Sequence, residues 1–164
     1  MSLTAPARYS NRAGVSTVGQ NSYRVKDGIT IYHGALVGID PNSGVLQNWS
    51  SASAANIRFR GLAMPLSNSI LGDEDGTPPP ECPVNESGII LEGVTVAGAR
   101  PANEVGTKGP GQPVYASDEN TFTMTATSNV GAIGELVRCD TAGVGDVRLF
   151  TPQEYMALEA LGKV

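Results

Sequence analysis

The chain has 164 residues, a formal net charge of −5, 40% hydrophobic residues and only 5% aromatic ones, with 20 glycines and 11 prolines. This length suits one domain with a single core, and no stretch approaches the roughly 20 apolar residues of a membrane-spanning helix. The first residues lack the apolar core of a secretion signal, so we expect a protein made in the cytoplasm and no membrane partner.

Charge is distributed unevenly along the chain. Residues 1–26 contain four basic and no acidic residues, whereas the remainder contains seven basic and 16 acidic residues. A basic N-terminal segment is therefore joined to an acidic body. Nucleic-acid binding needs clustered Lys and Arg along the body, so we expect no nucleic-acid partner.

Residues 1–22 are small, polar and turn-prone, and they cannot bury enough apolar surface to offset the entropy of ordering. We predict an extended N-terminal arm over these residues. Two interpretations stay open: a terminus without fixed structure, or an arm that orders against a neighbouring protein. For the second, the expected contact residues are Arg8, Tyr9 and Arg12, because Arg pairs with carboxylates through two hydrogen bonds and Tyr supplies buried area.

Short strand-like runs separated by turn residues fill residues 23–150. They include YRVK, ITIY, ALVGI, VLQNW, IILEGVTVAGA, PVYAS, TFTMT, GAIGELVR and DVRLF. Asp118-Glu119-Asn120 reads as a tight hairpin turn between two of them. The predicted fold class is all-β: a small β-barrel or sandwich body over residues 23–150, with an extended N-terminal arm and a short C-terminal helix.

Two parts of this body share a plan. Gly34 precedes a strand centred on Val37, a turn, VLQNW, a spacer and a Gly-Leu-Ala run, and Gly111 begins a similar series centred on Val114. The spacings differ, so chance similarity between hairpins is the alternative interpretation. A true repeat would indicate two related halves of one closed barrel, which leaves no exposed strand edges.

Residues 67–88 interrupt the strand pattern. Three consecutive prolines at 78–80 favour an extended polyproline segment, and Asp73-Glu74-Asp75 makes it acidic. We predict a long acidic, proline-rich surface loop that contains Cys82.

The C-terminal residues 151–164 predict a helix. Thr151 is a suitable N-cap, a proline follows at the first helical position, and Glu154 completes a capping box. Tyr155, Leu158 and Leu161 form an apolar stripe. A helix this short must dock, and packing on its own body is favoured over docking on a partner.

The sequence contains no recognisable catalytic, cofactor or metal site. His33 is the single histidine and has no nearby nucleophile in a known motif, so we assign it a structural role. The carboxylates of Asp73 and Asp75, like those of Asp118 and Glu119, are expected to be solvated.

The two cysteines and the one tryptophan also favour structural interpretations. Cys82 and Cys139 are expected to be separate thiols and lack the close ligand pairs of a zinc site, although a disulfide between them is an alternative. Trp49 favours a core or interface anchor over a carbohydrate platform. We therefore predict no enzyme and no cofactor.

The region 111–150 resembles a known family. Its order of G-x-P-V-Y-A-S-D-x-N-T-F-T, a Ser/Asn spacer, V-G-x-I-G and a terminal V-R-L strand is similar to the small capsid decoration, or cement, proteins of tailed bacteriophages. The resemblance extends over residues 88–152 and more weakly over 28–64, where IYHGALV at 31–37 matches the family's first strand.

The resemblance implies a β-barrel body docked on the outside of a phage head. Such a protein stabilises the shell by bridging subunits of the major capsid protein, and it associates with itself as a homotrimer or homodimer. The arm residues Arg8, Tyr9 and Arg12 would then contact the capsid or a neighbouring copy. Two alternatives stay open: a carbohydrate-binding or host-recognition module using Trp49 and Tyr32, and a tail or baseplate structural protein.

Overall fold

A computed structural model describes residues 10–11, 20–49, 57–73, 75–102, 108–126 and 131–162. The regular secondary structure of the described part is β, apart from one short helix. Its elements are β1 (Ser10–Asn11), β2 (Gln20–Arg24), β3 (Thr30–Tyr32), β4 (Leu36–Ile39), β5 (Leu46–Asn48), β6 (Arg58–Ala63), β7 (Ser69–Leu71), β8 (Glu81–Asn85), β9 (Ile90–Ala97), β10 (Pro113–Ala116), β11 (Phe122–Thr123), β12 (Gly134–Thr141), β13 (Val144–Leu149) and α1 (Pro152–Ala160). The predicted all-β class with a short C-terminal helix is confirmed.

Five strands of the N-terminal half close into a barrel, which we call ring 1. The strand order is β2-β8-β6-β4-β5, and every neighbouring pair is antiparallel. A parallel bridge between Val25 and Leu46 joins the two ends, and the Lys26 N–H donates to the Leu46 carbonyl at 2.9 Å. Closure reduces the length of strand edge that an open sheet would expose. Strands β3 and β7 form a separate two-stranded ribbon.

The C-terminal half closes in the same way, as ring 2. Its order is β9-β11-β10-β12-β13, and β13 pairs back to β9. Four of the five pairings are antiparallel, and β11 pairs with β9 in parallel. Strand β1 adds to β9 beside β11, with Ser10 opposite Glu92 and Asn11 opposite Leu91.

The two rings match strand for strand. We number the five strands of each ring in chain order, as β2, β4, β5, β6 and β8 in ring 1 and β9 to β13 in ring 2. In both rings the first strand pairs with the third and the fifth, the second pairs with the third and the fourth, and the fourth pairs with the fifth. The registers also agree. Val37 faces Gly61 in ring 1 as Val114 faces Gly134 in ring 2. The repeat predicted from Gly34 and Gly111 is therefore present in the pairings, but it forms two complete rings and not two halves of one barrel.

Individual hydrogen bonds repeat as well. The Gly34 N–H donates to the Ala63 carbonyl at 2.8 Å, and the Gly111 N–H donates to the Leu136 carbonyl at 2.7 Å. Both glycines have positive φ, 80° and 83°, a conformation that favours glycine. Equivalent turns thus enter equivalent strands in the two rings.

One hydrophobic core extends from ring 2 into the contact between the rings. It includes Leu91, Val114 and Leu136 of ring 2 together with Trp49 and Phe59 of ring 1. A second cluster fills the inside of ring 1. The Leu36 N–H of ring 1 also donates to the Glu119 carbonyl of ring 2 at 2.8 Å, so the rings are joined by packing and by a backbone hydrogen bond.

Helix α1 forms as its sequence predicts and docks on the body of its own chain. Thr151 caps it with both hydrogen bonds of the capping box. The Tyr155 ring lies edge-on to Trp49, with centroids 6.1 Å apart. The predicted apolar stripe docks only in part, because Leu158 is half-buried and Leu161 is exposed beyond the end of the helix. No helix in the described ranges is long and apolar enough to cross a membrane.

The predicted surface loop over residues 67–88 is wrong in part, because β7 and β8 lie within it. Strand β8 sits between β2 and β6, and Cys82 is fully buried in its ring. Pro83 is tolerated there because it lacks only a donor: its carbonyl still accepts the Met64 N–H at 2.7 Å. The polyproline pattern therefore ends at Pro80, one residue before the strand begins.

Candidate interaction surface

The described part of the predicted arm is anchored to the body. Ser10–Asn11 form β1 on the edge of β9. Arg8, Tyr9 and Arg12, the predicted contact residues, lie outside the described residues. In sequence, two of them immediately precede the anchor and the third immediately follows it. The basic segment is thus attached to ring 2 at a defined place.

A shallow cleft of about 360 Å³ lies on ring 2 beside this anchor. Its lining comes from β9 and from the β12–β13 hairpin: Glu92, Gly93, Arg138, Asp140, Thr141, Val144, Gly145 and Asp146. Glu92 both lines the cleft and pairs with Ser10, so β1 runs along the rim.

Three carboxylates and one guanidinium give the cleft a negative balance. Arg138 forms an ion pair with Asp140, and its Nε donates at 2.6 Å. The hydrogen bond to Asp140, and then the negative charges of Asp140, Asp146 and Glu92, raise the pKa of Arg138. The Asp146 carboxylate accepts the Gly93 N–H at 2.9 Å across the bulge in β9. These bonds hold the lining in place, and its acidic character complements cationic groups.

Large apolar side chains are exposed beside ring 1, on ring 2 at Val137 and Val144, and on or just after α1 at Met156 and Leu161. Leu66, in the connection between β6 and β7, is fully exposed, and Leu71 at the end of β7 is 59% exposed. Within the part of the chain that the structure describes, ring 2 has no counterpart of the β3–β7 ribbon that carries Leu71. Leu66 and Leu71 are therefore two exposed apolar side chains near ring 1 that a protein partner could cover.

The outer side of ring 1 near β2 is polar. The Tyr23 hydroxyl donates to Glu86 at 2.6 Å, and Asn21 donates to the other carboxylate oxygen of Glu86. Burial, together with the hydrogen bond to Glu86, raises the pKa of Tyr23 to about 12. The Arg60 guanidinium lies 5.8 Å from the centre of the Tyr23 ring. The cluster fixes β2 against the end of β8.

The structure places most of the other predicted residues in structural roles. His33 is half-buried in the turn between β3 and β4, where its backbone N–H donates to the Asn68 carbonyl. Trp49 is completely buried against Phe59, which confirms the favoured core anchor and argues against the alternative of a carbohydrate platform at Trp49. Cys82 and Cys139 are buried thiols in different rings, and burial raises the pKa of Cys82 to about 12.

The expectation of solvated acidic turns holds for one of the two pairs. Asp73 and Asp75 are exposed, but Asp118 and Glu119 are buried, at 7% and 2% exposure. The turn folds inward because the Asp118 carboxylate accepts the Asn120 N–H and the Thr121 hydroxyl. Within the described ranges, no group of three or more His, Cys, Asp or Glu could hold a metal ion.

Sequence reasoning missed the cleft residues and the exposed leucines. Glu92, Arg138 and Asp146 lie on three strands, and only strand pairing brings them together. Leu66 follows a proline in a run that resembles any other turn, so no local signal marks its exposure. Compared with protein-family models, with curated proteins and with solved structures, the chain has no match.

Proposed function

We propose that this chain is a decoration protein of tailed-phage heads, which binds the outer surface of the assembled shell and bridges subunits of the major capsid protein. It makes and breaks no bonds and uses no cofactor. It is made in the host cytoplasm and resides on the outside of the virion. Its partners are the major capsid protein and further copies of itself.

The attachment of the basic N-terminal segment at β1 carries this proposal. Anchoring at Ser10–Asn11 sets Arg8, Tyr9 and Arg12 within two residues of a fixed point on ring 2. An anchored segment loses less entropy on binding a neighbour than a free one does. Its positive charge suits an acidic protein surface, and the body of a second copy carries the complementary negative charge.

The form of the body supports the same function. Two rings joined by one core make a rigid block, and the exposed Leu66 and Leu71 give it apolar contact points. A decoration protein is multivalent through its lattice: each copy adds a modest interface, and the shell repeats that interface many times.

The test is binding to purified heads that lack the protein. The triple variant Arg8→Ala/Tyr9→Ala/Arg12→Ala should lose head binding by at least about tenfold, because it removes the charged and aromatic contacts of the segment. Co-sedimentation with heads measures occupancy. Substitution is preferable to deletion of residues 1–22, because β2 begins at Gln20 and that deletion would remove three of its five residues.

A matched control changes basic residues of the body. Arg100→Ala/Lys108→Ala removes two exposed positive charges from ring 2 and should leave head binding unchanged. Full occupancy by the triple variant would contradict the role of the segment. Binding of the wild-type protein to tails and not to heads would instead assign it to the tail or baseplate.

A further inference from the structure

The equivalence of the rings identifies one strand edge that differs between them. Counting along the matched registers, Leu91 and Glu92 of β9 correspond to Asn21 and Ser22 of β2. In ring 2, β1 covers this edge. In ring 1, within the described residues, the same edge is bridged only at Val25, beyond the end of β2.

The backbone of β2 presents hydrogen-bonding groups to this edge. Ser22 lies opposite Pro83, whose carbonyl points away from β2 and accepts the Met64 N–H. Ser22 and Pro83 are therefore a non-hydrogen-bonded pair, and the N–H and C=O of Ser22 point outward. Gln20, two residues earlier, points the same way. The backbone N–H of Lys26 also points to this side of the strand, where it donates to the Leu46 carbonyl of β5.

We propose that β2 is the self-association site of this protein, where β2 of a second copy adds in antiparallel orientation about a twofold axis through Ser22. The occupant is a second copy because this edge is self-complementary. In each copy, Ser10–Asn11 already cover the equivalent edge of β9, whereas β2 presents outward donors and acceptors at Gln20 and Ser22.

The register is compatible with the side chains. Ser22 lies opposite Ser22 of the second copy, where the two backbones exchange two hydrogen bonds. Gln20 then lies opposite Arg24, so no like charges face each other. The two Arg24 positions are offset by four residues, about 13 Å along the strands, where surface charges are largely screened. Ser22 and Asn21 are exposed, and the Asn21 side chain bonds to Glu86.

This inference rests on the self-association in the proposed function. Its test measures dimerisation in the absence of phage heads, so dimerisation and head binding can each fail without the other. Sedimentation equilibrium of the full chain should show a dimer. In Ser22→Pro the dimer dissociation constant should rise by at least about 30-fold, because both central donors are lost. The Pro ring is compatible with ring 1, since the lost N–H points outward. Ser22→Thr keeps the N–H and should dimerise like the wild type.

Crosslinking decides the case in which Ser22→Pro does not fold. Ser22→Cys should form a disulfide-linked dimer under mild oxidation, because paired Cα atoms lie within disulfide range. Thr95→Cys, at an exposed position on β9, should stay uncrosslinked. The native thiols are buried and give little background.

Three results would overturn the proposal. The first is a wild-type protein that stays monomeric at every concentration. The second is a Ser22→Cys variant that crosslinks no more than Thr95→Cys. The third is a dimer that survives Ser22→Pro but is lost on deletion of residues 1–11, which would assign the contact to the N-terminal segment.

Discussion

At the scale of single residues, Gly61 and Gly134 show most clearly how the two rings are built. They occupy the same register position, opposite Val37 and Val114. A Cβ at Gly61 would lie 2.1 Å from the Asn85 carbonyl oxygen, and one at Gly134 would lie 2.3 Å from the Arg148 carbonyl oxygen. Each ring therefore needs glycine where the fifth strand passes closest to the fourth.

We expect Gly61→Ala and Gly134→Ala each to lower the free energy of unfolding by about 3–5 kcal/mol, because the obstructing atoms are backbone and cannot rotate away. Urea denaturation measures the change. Gly143→Ala is the matched control. It has positive φ but no atom within 4 Å of the added Cβ, so the loss should be about 1 kcal/mol. Equal losses in all three variants would contradict the steric explanation.

At the scale of elements, α1 depends on its first turn. The Glu154 carboxylate accepts the Thr151 N–H at 2.8 Å and the Arg148 guanidinium at 2.9 Å. Burial would raise the pKa of Glu154, but the Thr151 N–H and then Arg148 lower it below its ordinary value. Arg148 also binds Glu135, so the helix start is tied to β12 and β13. The helix in turn covers Trp49 and Phe59 with the Tyr155 ring.

Removal of the Thr151 cap should weaken the packing of α1 over Trp49 and Phe59. Thr151→Ala is expected to lower stability by about 1 kcal/mol, because the Glu154 N–H loses its acceptor. Thr151→Ser keeps the acceptor and should stay within about 0.5 kcal/mol of the wild type. Thermal unfolding followed by Trp49 fluorescence measures both. Identical unfolding of the alanine and serine variants would show that the cap has no role.

At the scale of the whole molecule, the rings share a core and should unfold together. Leu36, Trp49 and Phe59 of ring 1 belong to the same buried cluster as the interior of ring 2. If the two rings were independent barrels, each would unfold with its own free energy of unfolding. A continuous core couples the two halves instead, because opening one exposes the apolar surface of the other.

A change confined to ring 2 should therefore be visible at the single Trp, which lies in ring 1. In Gly134→Ala, the urea midpoint from Trp49 fluorescence is expected to shift together with the midpoint from far-UV circular dichroism. Coincident transitions before and after the substitution support one cooperative unit. A Trp49 midpoint that stays at its wild-type value would show that the rings unfold separately.

Local patterns were sufficient for the all-β class, most strand positions, the hairpin before Thr121 and the capped helix. Alternation of apolar residues, turn residues and a capping box act over a few neighbouring positions, so the chain carries them whatever the rest of it does. The repeat around Gly34 and Gly111 was visible for the same reason. The strand at Cys82 was missed because three prolines directly precede it. It forms because β2 and β6 pair with it on both sides, which outweighs the low strand propensity of the local sequence.

Closure into two rings, the burial of Asp118 and Glu119, and the cleft at Glu92 and Asp146 depended on contacts between distant parts of the chain. Ring 2 closes when Ile90 pairs with Arg148, 58 residues later. Such a pairing is chosen by the joint packing of all five strands, and no short stretch of sequence encodes it. For the same reason the outward edge of β2 became visible only once the fold had supplied its counterpart in β9.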